Sequence, residues 1–178
     1  INVSGITFNL RGTSDSGRDI DIPAVTDENG VAIFSEIPIG TYTIYEDEKT
    51  VPTAYLVADP QNVTVTYAET KEVPIENKEK TGSITVHKTT EGQKNIEGIK
   101  FYLRGTSDSG RAIDIPATTD KDGIAKFDGV PIGTYMVIED EETVPYGYLV
   151  ADEKEVKVEY AQTIDETILN NEQTGTVK

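Results

Sequence analysis

Apolar and polar residues alternate along most of the chain, and a period of two marks strands with one buried face. In the second half the pattern predicts seven strands: Ile84 to Thr89, Ile99 to Leu103, Ala112 to Pro116, Ile124 to Phe127, Tyr135 to Asp140, Val156 to Tyr160 and Ile164 to Asn170. Thr119-Asp120-Lys121-Asp122-Gly123, between the third and fourth, reads as a hairpin turn with glycine where a positive φ is expected. Val130-Pro131-Ile132-Gly133 and Val144-Pro145-Tyr146-Gly147-Tyr148 are also turn-rich. No stretch carries a helical period with caps. Many short strands with turns between them predict an all-β fold of the sandwich type.

The chain repeats itself. Phe8-Asn9-Leu10-Arg11-Gly12-Thr13-Ser14-Asp15-Ser16-Gly17-Arg18 returns as Phe101-Tyr102-Leu103-Arg104-Gly105-Thr106-Ser107-Asp108-Ser109-Gly110-Arg111. The offset of 93 residues holds without a gap from Asn2/Asn95 to Gly82/Gly175, and well over half of the aligned positions are identical. A period this long fits a whole small domain better than a solenoid unit of about 20–50 residues. The expected organisation is one domain over residues 1–80, a complete one over 81–174, and the start of a further repeat at 175–178. Residues 83–94 have no counterpart ahead of Ile1. The first domain is therefore expected to lack its N-terminal strand, and the sequence reads as an excerpt from a longer array.

The same alternation assigns faces. Ile84 and Val86 share a face with Lys88, Tyr135 and Val137 with Glu139, and Ile168 with Asn170. The first repeat gives Tyr42, Ile44 and Glu46 on one face, and Val73, Ile75 and Asn77 on another. A lysine, a glutamate and an asparagine thus point inward in one small domain. A lone buried ion costs several kcal/mol, so such groups pair or become neutral. Two readings follow. Each residue sits at a strand end and bends out to water, or the three meet in the interior. In the second case a neutral lysine amine is a nucleophile. A protonated glutamate can hydrogen-bond the amide oxygen and polarise its carbon, and the asparagine carboxamide is an electrophile with ammonia as leaving group. A Lys–Asn isopeptide bond would then form without an enzyme.

Composition narrows the alternatives. The 178 residues carry 32 acidic and 16 basic side chains, a net charge of −16, with one His and no Cys. Such acidity opposes binding to a phosphate backbone. Without cysteine there is no disulfide, zinc-thiolate site or thiol nucleophile. No apolar run approaches the roughly 20 residues that span a bilayer. His87 faces outward with no metal or catalytic partner, and no Ser/His/Asp set or glycine-rich phosphate loop is visible. Asp120-Lys121-Asp122-Gly123 resembles the start of a calcium loop, but the twelfth position is Pro131, so no metal and no cofactor are expected. Thr13 to Arg18 and Thr106 to Arg111 read as Ser/Asp/Gly turns, and Glu139 to Glu142 as a solvated edge.

In the order and spacing of these elements the sequence resembles the B-type repeat of Gram-positive collagen adhesins (CnaB, prealbumin-like). The resemblance is carried by Gly98-Ile99-Lys100-Phe101-Tyr102-Leu103, Thr119-Asp120-Lys121-Asp122-Gly123 with Phe127, Gly133-Thr134-Tyr135-Met136-Val137-Ile138-Glu139, Val144-Pro145-Tyr146-Gly147-Tyr148, and the strand ending at Asn170. It implies two tandem seven-stranded Ig-like/prealbumin-like sandwiches, the first without its N-terminal strand. It further implies that Lys88 bonds to Asn170 with Glu139 assisting. Glu46 and Asn77 are the first-repeat equivalents, and their lysine partner is absent from the chain. In place of the family's Pro-x-Gly-Tyr turn the first repeat has Pro52-Thr53-Ala54-Tyr55. The implied function is a structural stalk repeat of a surface adhesin, extracellular and anchored to the cell wall through a region outside this segment. Its expected partners are neighbouring repeats, with a host matrix protein engaged through a distal domain; no nucleic acid and no membrane insertion are expected, and the chain is expected to be a monomer. The alternative is an adhesive module that itself binds a host matrix protein or glycan. No enzymatic activity is expected beyond the intramolecular crosslink.

Overall fold

The computed structural model describes residues 3–94 and 96–178, so Asn2 and Asn95, the first aligned pair of the repeat, lie outside it. Two compact units divide the chain, Ile1–Lys78 and Glu79–Lys178.

The Glu79–Lys178 unit has seven strands: β5 (Thr81–Thr90), β6 (Lys100–Ser107), β7 (Ala112–Thr118), β8 (Ile124–Pro131), β9 (Gly133–Glu139), β10 (Lys154–Val158) and β11 (Thr163–Asn170). They form a four-stranded sheet in the order β10-β9-β6-β7 and a three-stranded sheet in the order β11-β5-β8. β5 is central in the second sheet. It pairs antiparallel with β8, and parallel with β11 in a register that sets Lys88 opposite Ile168 and Thr90 opposite Asn170. The inward faces close on one apolar core: Ile84 and Val86 from β5, Phe101 and Leu103 from β6, Phe127 from β8, Tyr135 and Val137 from β9, Val156 and Val158 from β10, and Ile168 from β11. Strict alternation on β5 buries every even position from Gly82 to Thr90, as a strand buried on one face requires.

The turns follow local chemistry. Asp120 Oδ1 accepts from the backbone N–H groups of Asp122 (2.9 Å) and Ile124 (3.0 Å), and Gly123 takes φ +75°. Ser107 Oγ accepts from Arg111 N at 3.0 Å, and Ser14 Oγ from Arg18 N at 2.9 Å, so both copies of the Ser-Asp-Ser-Gly-Arg run are closed turns.

The Ile1–Lys78 unit holds one four-stranded sheet, ordered β2-β1-β3-β4, from β1 (Thr7–Thr13), β2 (Asp19–Val25), β3 (Gly40–Glu46) and β4 (Gln61–Val65). Its core is Ile6, Phe8, Leu10, Ile20, Tyr42 and Ile44. The segments matching β8 and β11, residues 31–38 and 70–77, lie in no strand. The reason lies in the topology: their counterparts bond to β5 from either side, and no described residue of this unit stands between them. Ala32, Phe34, Ile37, Val73 and Ile75 still pack against the core. The side chains thus hold both segments in place without a ladder.

Candidate functional site

Three strand ends meet in the interior of the Glu79–Lys178 unit. Lys88 lies on β5, Asn170 ends the neighbouring parallel strand β11, and Glu139 ends β9 in the facing sheet. Their relative exposures are 2, 0 and 6%, so none bends out to water. The bulk of the sandwich has closed over all three.

The contacts are specific. Glu139 Oε1 stands 3.5 Å from Lys88 Nζ, at ion-pair distance but with no hydrogen bond formed by that oxygen. Glu139 Oε2 accepts from the Asn170 carboxamide nitrogen at 2.6 Å and from the Ala151 backbone N–H at 2.8 Å. Asn170 Nδ2 also donates to the Leu149 carbonyl at 2.8 Å. Lys88 Nζ donates to the carbonyls of Thr89 (2.7 Å) and Ile168 (3.2 Å). Burial holds the Lys88 amine below the ordinary lysine range, and the neighbouring Glu139 charge offsets part of that shift.

One expectation is corrected. The carboxyl meets the carboxamide at its nitrogen, and Asn170 Oδ1 has no hydrogen-bond partner among the described residues. The cause is the Leu149 carbonyl, which can only accept and so turns the NH₂ group toward itself and Glu139. Leu149 and Ala151 escape a reading of side-chain alternation because they act through their backbones. Their signal is the run Tyr-Leu-Val-Ala-Asp, identical at 55–59 and 148–152.

The other candidates lie elsewhere. His87 is outward on β5, with Nε2 3.0 Å from Asp165 Oδ1 on β11, a partner that alternation alone did not reveal. Of the acidic run, only Glu139 is buried; Asp140 Oδ1 caps the short 3₁₀ turn Glu141–Thr143 by accepting from Glu142 N at 3.2 Å. Glu46 and Asn77 come together in the Ile1–Lys78 unit, Asn77 Nδ2 donating to Glu46 Oε2 at 2.7 Å.

Chemically, the buried trio sets an amine and a carboxamide on either side of one carboxyl. The carboxyl reaches the amine with one oxygen and the carboxamide nitrogen with the other.

Comparison with known proteins places the chain in a family. A chain from the Bacillus anthracis TIE protein superposes with a TM-score of 0.65 at 20% identity, covering 95% of this chain and 31% of that one. This chain therefore spans about a third of that relative's length. GBS52, the minor pilin of Streptococcus agalactiae, aligns at a TM-score of 0.48 and 20% identity over 98% of this chain and 86% of its own. The shaft pilin SpaA of Lactobacillus rhamnosus GG aligns at 0.44 and 18% identity over 98% and 90%. No curated protein matches the chain. The family model described as the SpaA prealbumin-like fold domain matches twice, over residues 2–79 and 82–173, and the chain belongs to that family, in two copies.

Proposed function

We propose that the chain is a stalk segment of a Gram-positive surface protein, and that its Glu79–Lys178 unit seals itself with a Lys88–Asn170 isopeptide bond. The observation that carries this reading is the Glu139 carboxyl, buried and in reach of both reacting groups.

The reaction balances within the site. The neutral Lys88 amine attacks Asn170 Cγ, and a C–N bond forms. Glu139 takes the proton that the attacking nitrogen sheds and passes that same proton to Asn170 Nδ2. The Cγ–Nδ2 bond breaks and ammonia leaves. The Leu149 carbonyl and Ala151 N–H hold the two partners in line, which shortens the search for a reactive geometry. The chemistry turns over once, within one chain.

The bond joins the first strand of the unit to its last. Force entering along β5 would cross the amide at Lys88 and leave at Asn170, the last residue of β11, and most of the domain would carry no load. An amide also survives reducing conditions, consistent with a chain that has no cysteine. Cell-wall anchoring belongs to the same reading, through a region outside this segment. Intact-mass measurement tests it: one bond lowers the mass by about 17 Da, the ammonia displaced by the nucleophile. Lys88→Ala and Glu139→Ala should each restore the full mass. A wild-type chain at its full sequence mass would refute the crosslink.

A further inference from the structure

Glu91, in the turn that leaves β5, reaches three other residues of the Glu79–Lys178 unit with three different groups. Its backbone N–H donates to the Asn170 carbonyl at 3.1 Å. Its own carbonyl accepts from Tyr148 Oη at 3.0 Å. Its side-chain Oε2 accepts from the Glu172 backbone N–H at 2.6 Å, the short contact of a charged acceptor. None of the three closes the turn in which Glu91 sits. Gln93 N does that by donating to the Thr90 carbonyl at 2.9 Å, and Lys94 N by donating to Thr90 Oγ1 at 3.0 Å. Glu91 is also exposed, so burial does not fix its side chain.

The segments it joins are those that carry and orient the buried trio. Lys88 lies three residues ahead of Glu91, on β5. Asn170 ends β11, and element ends are where a structure opens most readily. The third segment, residues 148–151, grips the Asn170 carboxamide through the Leu149 carbonyl and Glu139 through the Ala151 N–H. Beyond Asn170 the chain lies against that same segment: Leu149 N donates to the Asn171 carbonyl at 2.9 Å, and Tyr148 and Glu172 form an antiparallel bridge. Glu91 therefore ties the strand that bears the amine to both elements that hold the carboxamide.

We propose that Glu91 is a positioning residue for the Lys88–Asn170 reaction. It touches none of the reacting atoms. It pins the end of β11 and the 148–151 segment to β5, and so fixes the distance the amine must cross. Its carboxylate is the arm that a substitution can remove, since the other two belong to the backbone. A misplacement of about 1 Å at a reacting centre can cost about 10²-fold in rate, and the loss of one arm of three is expected to cost about tenfold.

The role rests on the crosslink proposed above, so the experiment separates the two. Full-length wild type, Glu91→Ala and Glu91→Gln are prepared in denaturant so that none has folded, then diluted. Circular dichroism times folding, and intact mass times the loss of about 17 Da, one ammonia displaced. All three should fold at one rate. Glu91→Ala should then close about tenfold more slowly, while Glu91→Gln, whose carboxamide oxygen still accepts from Glu172 N, should keep the wild-type rate. A second readout needs no crosslink. In a Glu139→Gln background, where the bond is expected not to form, Glu91→Ala should speed amide exchange at Glu172 and Glu91→Gln should not. A wild type that closes no faster than Glu91→Ala overturns the positioning role alone, as does unchanged exchange at Glu172. A wild type that folds and keeps its full mass overturns the crosslink and this role together.

Discussion

Glu139 bridges Lys88 and Asn170, with one carboxyl oxygen 3.5 Å from the amine and the other 2.6 Å from the carboxamide nitrogen. A carboxamide of the same shape would fill the space but could not relay a proton. Glu139→Gln is therefore expected to fold and to stay at full sequence mass. Losing the crosslink should lower its unfolding free energy by about 4–5 kcal/mol, by analogy with a disulfide closing a long loop. Denaturant midpoints of the two proteins, with circular dichroism to establish the fold, check this. A fully crosslinked Glu139→Gln would remove the proton relay from the account.

The turn before β8 holds the backbone of Lys88. Lys88 N donates to the Gly123 carbonyl at 2.7 Å, and a Cβ on Gly123 would lie 2.7 Å from the Lys88 carbonyl and 3.0 Å from Ile96 Cδ1. Its φ of +75° already disfavours a side chain. Gly123→Ala should cost about 1–3 kcal/mol through backbone strain and slow bond formation in a refolding time course. Gly30→Ala has the same strain, at φ +78°, but its Cβ would meet only Val3 at 3.1 Å, so it should leave the Lys88–Asn170 rate unchanged. Equal slowing by both variants would contradict the positioning role.

Tyr148 and Tyr55 occupy equivalent positions with opposite hydrogen-bond status. Tyr148 Oη donates to the Glu91 carbonyl, while Tyr55 Oη is buried with no hydrogen-bond partner among the described residues. Tyr148→Phe is expected to destabilise its unit by about 0.5–1.5 kcal/mol, the net worth of one hydrogen bond. Tyr55→Phe is expected to be neutral or stabilising, because it removes an unpaired buried hydroxyl. Differential unfolding of the two units by hydrogen exchange reads each effect in its own unit.

Alkaline pH separates the crosslinked and open forms. In an Asn170→Ala variant the Lys88 amine stays free and, being buried, titrates below the ordinary lysine range. Between that value and the unfolded value of about 10.4 the unfolded chain holds more protons, so stability rises with pH. With the proposed bond formed, the same nitrogen in the wild type is an amide and contributes no such rise. Burial pushes Tyr135 up to about 12. Above the unfolded tyrosine value of about 10 the unfolded chain sheds a proton that the fold retains, so stability falls in both proteins. Thermal melts from pH 8 to 12 should show the rise only in Asn170→Ala. Identical profiles would mean that Lys88 is free in both.

Period-two alternation was enough to find all seven strands of the second unit and to point Lys88, Glu139 and Asn170 inward, because each sits on a strand with one face in the core. It failed where the backbone does the work. Leu149 and Ala151 clamp the site through a carbonyl and an N–H, which no side-chain pattern records. Carried across the 93-residue repeat, the same reading gives six strands in the first unit. Residues 31–38 and 70–77 carry the right pattern, yet a strand needs a neighbour as well as a pattern, and their common neighbour would be a β5. The contact between the carboxyl and the amide nitrogen depended on where Leu149 C=O falls, a tertiary fact beyond the reach of local sequence.

The parallel pairing of β5 with β11 has a consequence for how such units can be strung together. The chain enters at the start of one strand and departs from the end of its neighbour, so entry and exit lie at opposite tips of the same two-stranded ribbon. An antiparallel pair would return the chain to the tip where it began. With the proposed Lys88–Asn170 bond closed, each unit is a link of fixed length under tension, and a row of them gains reach with every link while the covalent line of tension runs along β5 to Lys88 and leaves at Asn170, the last residue of β11.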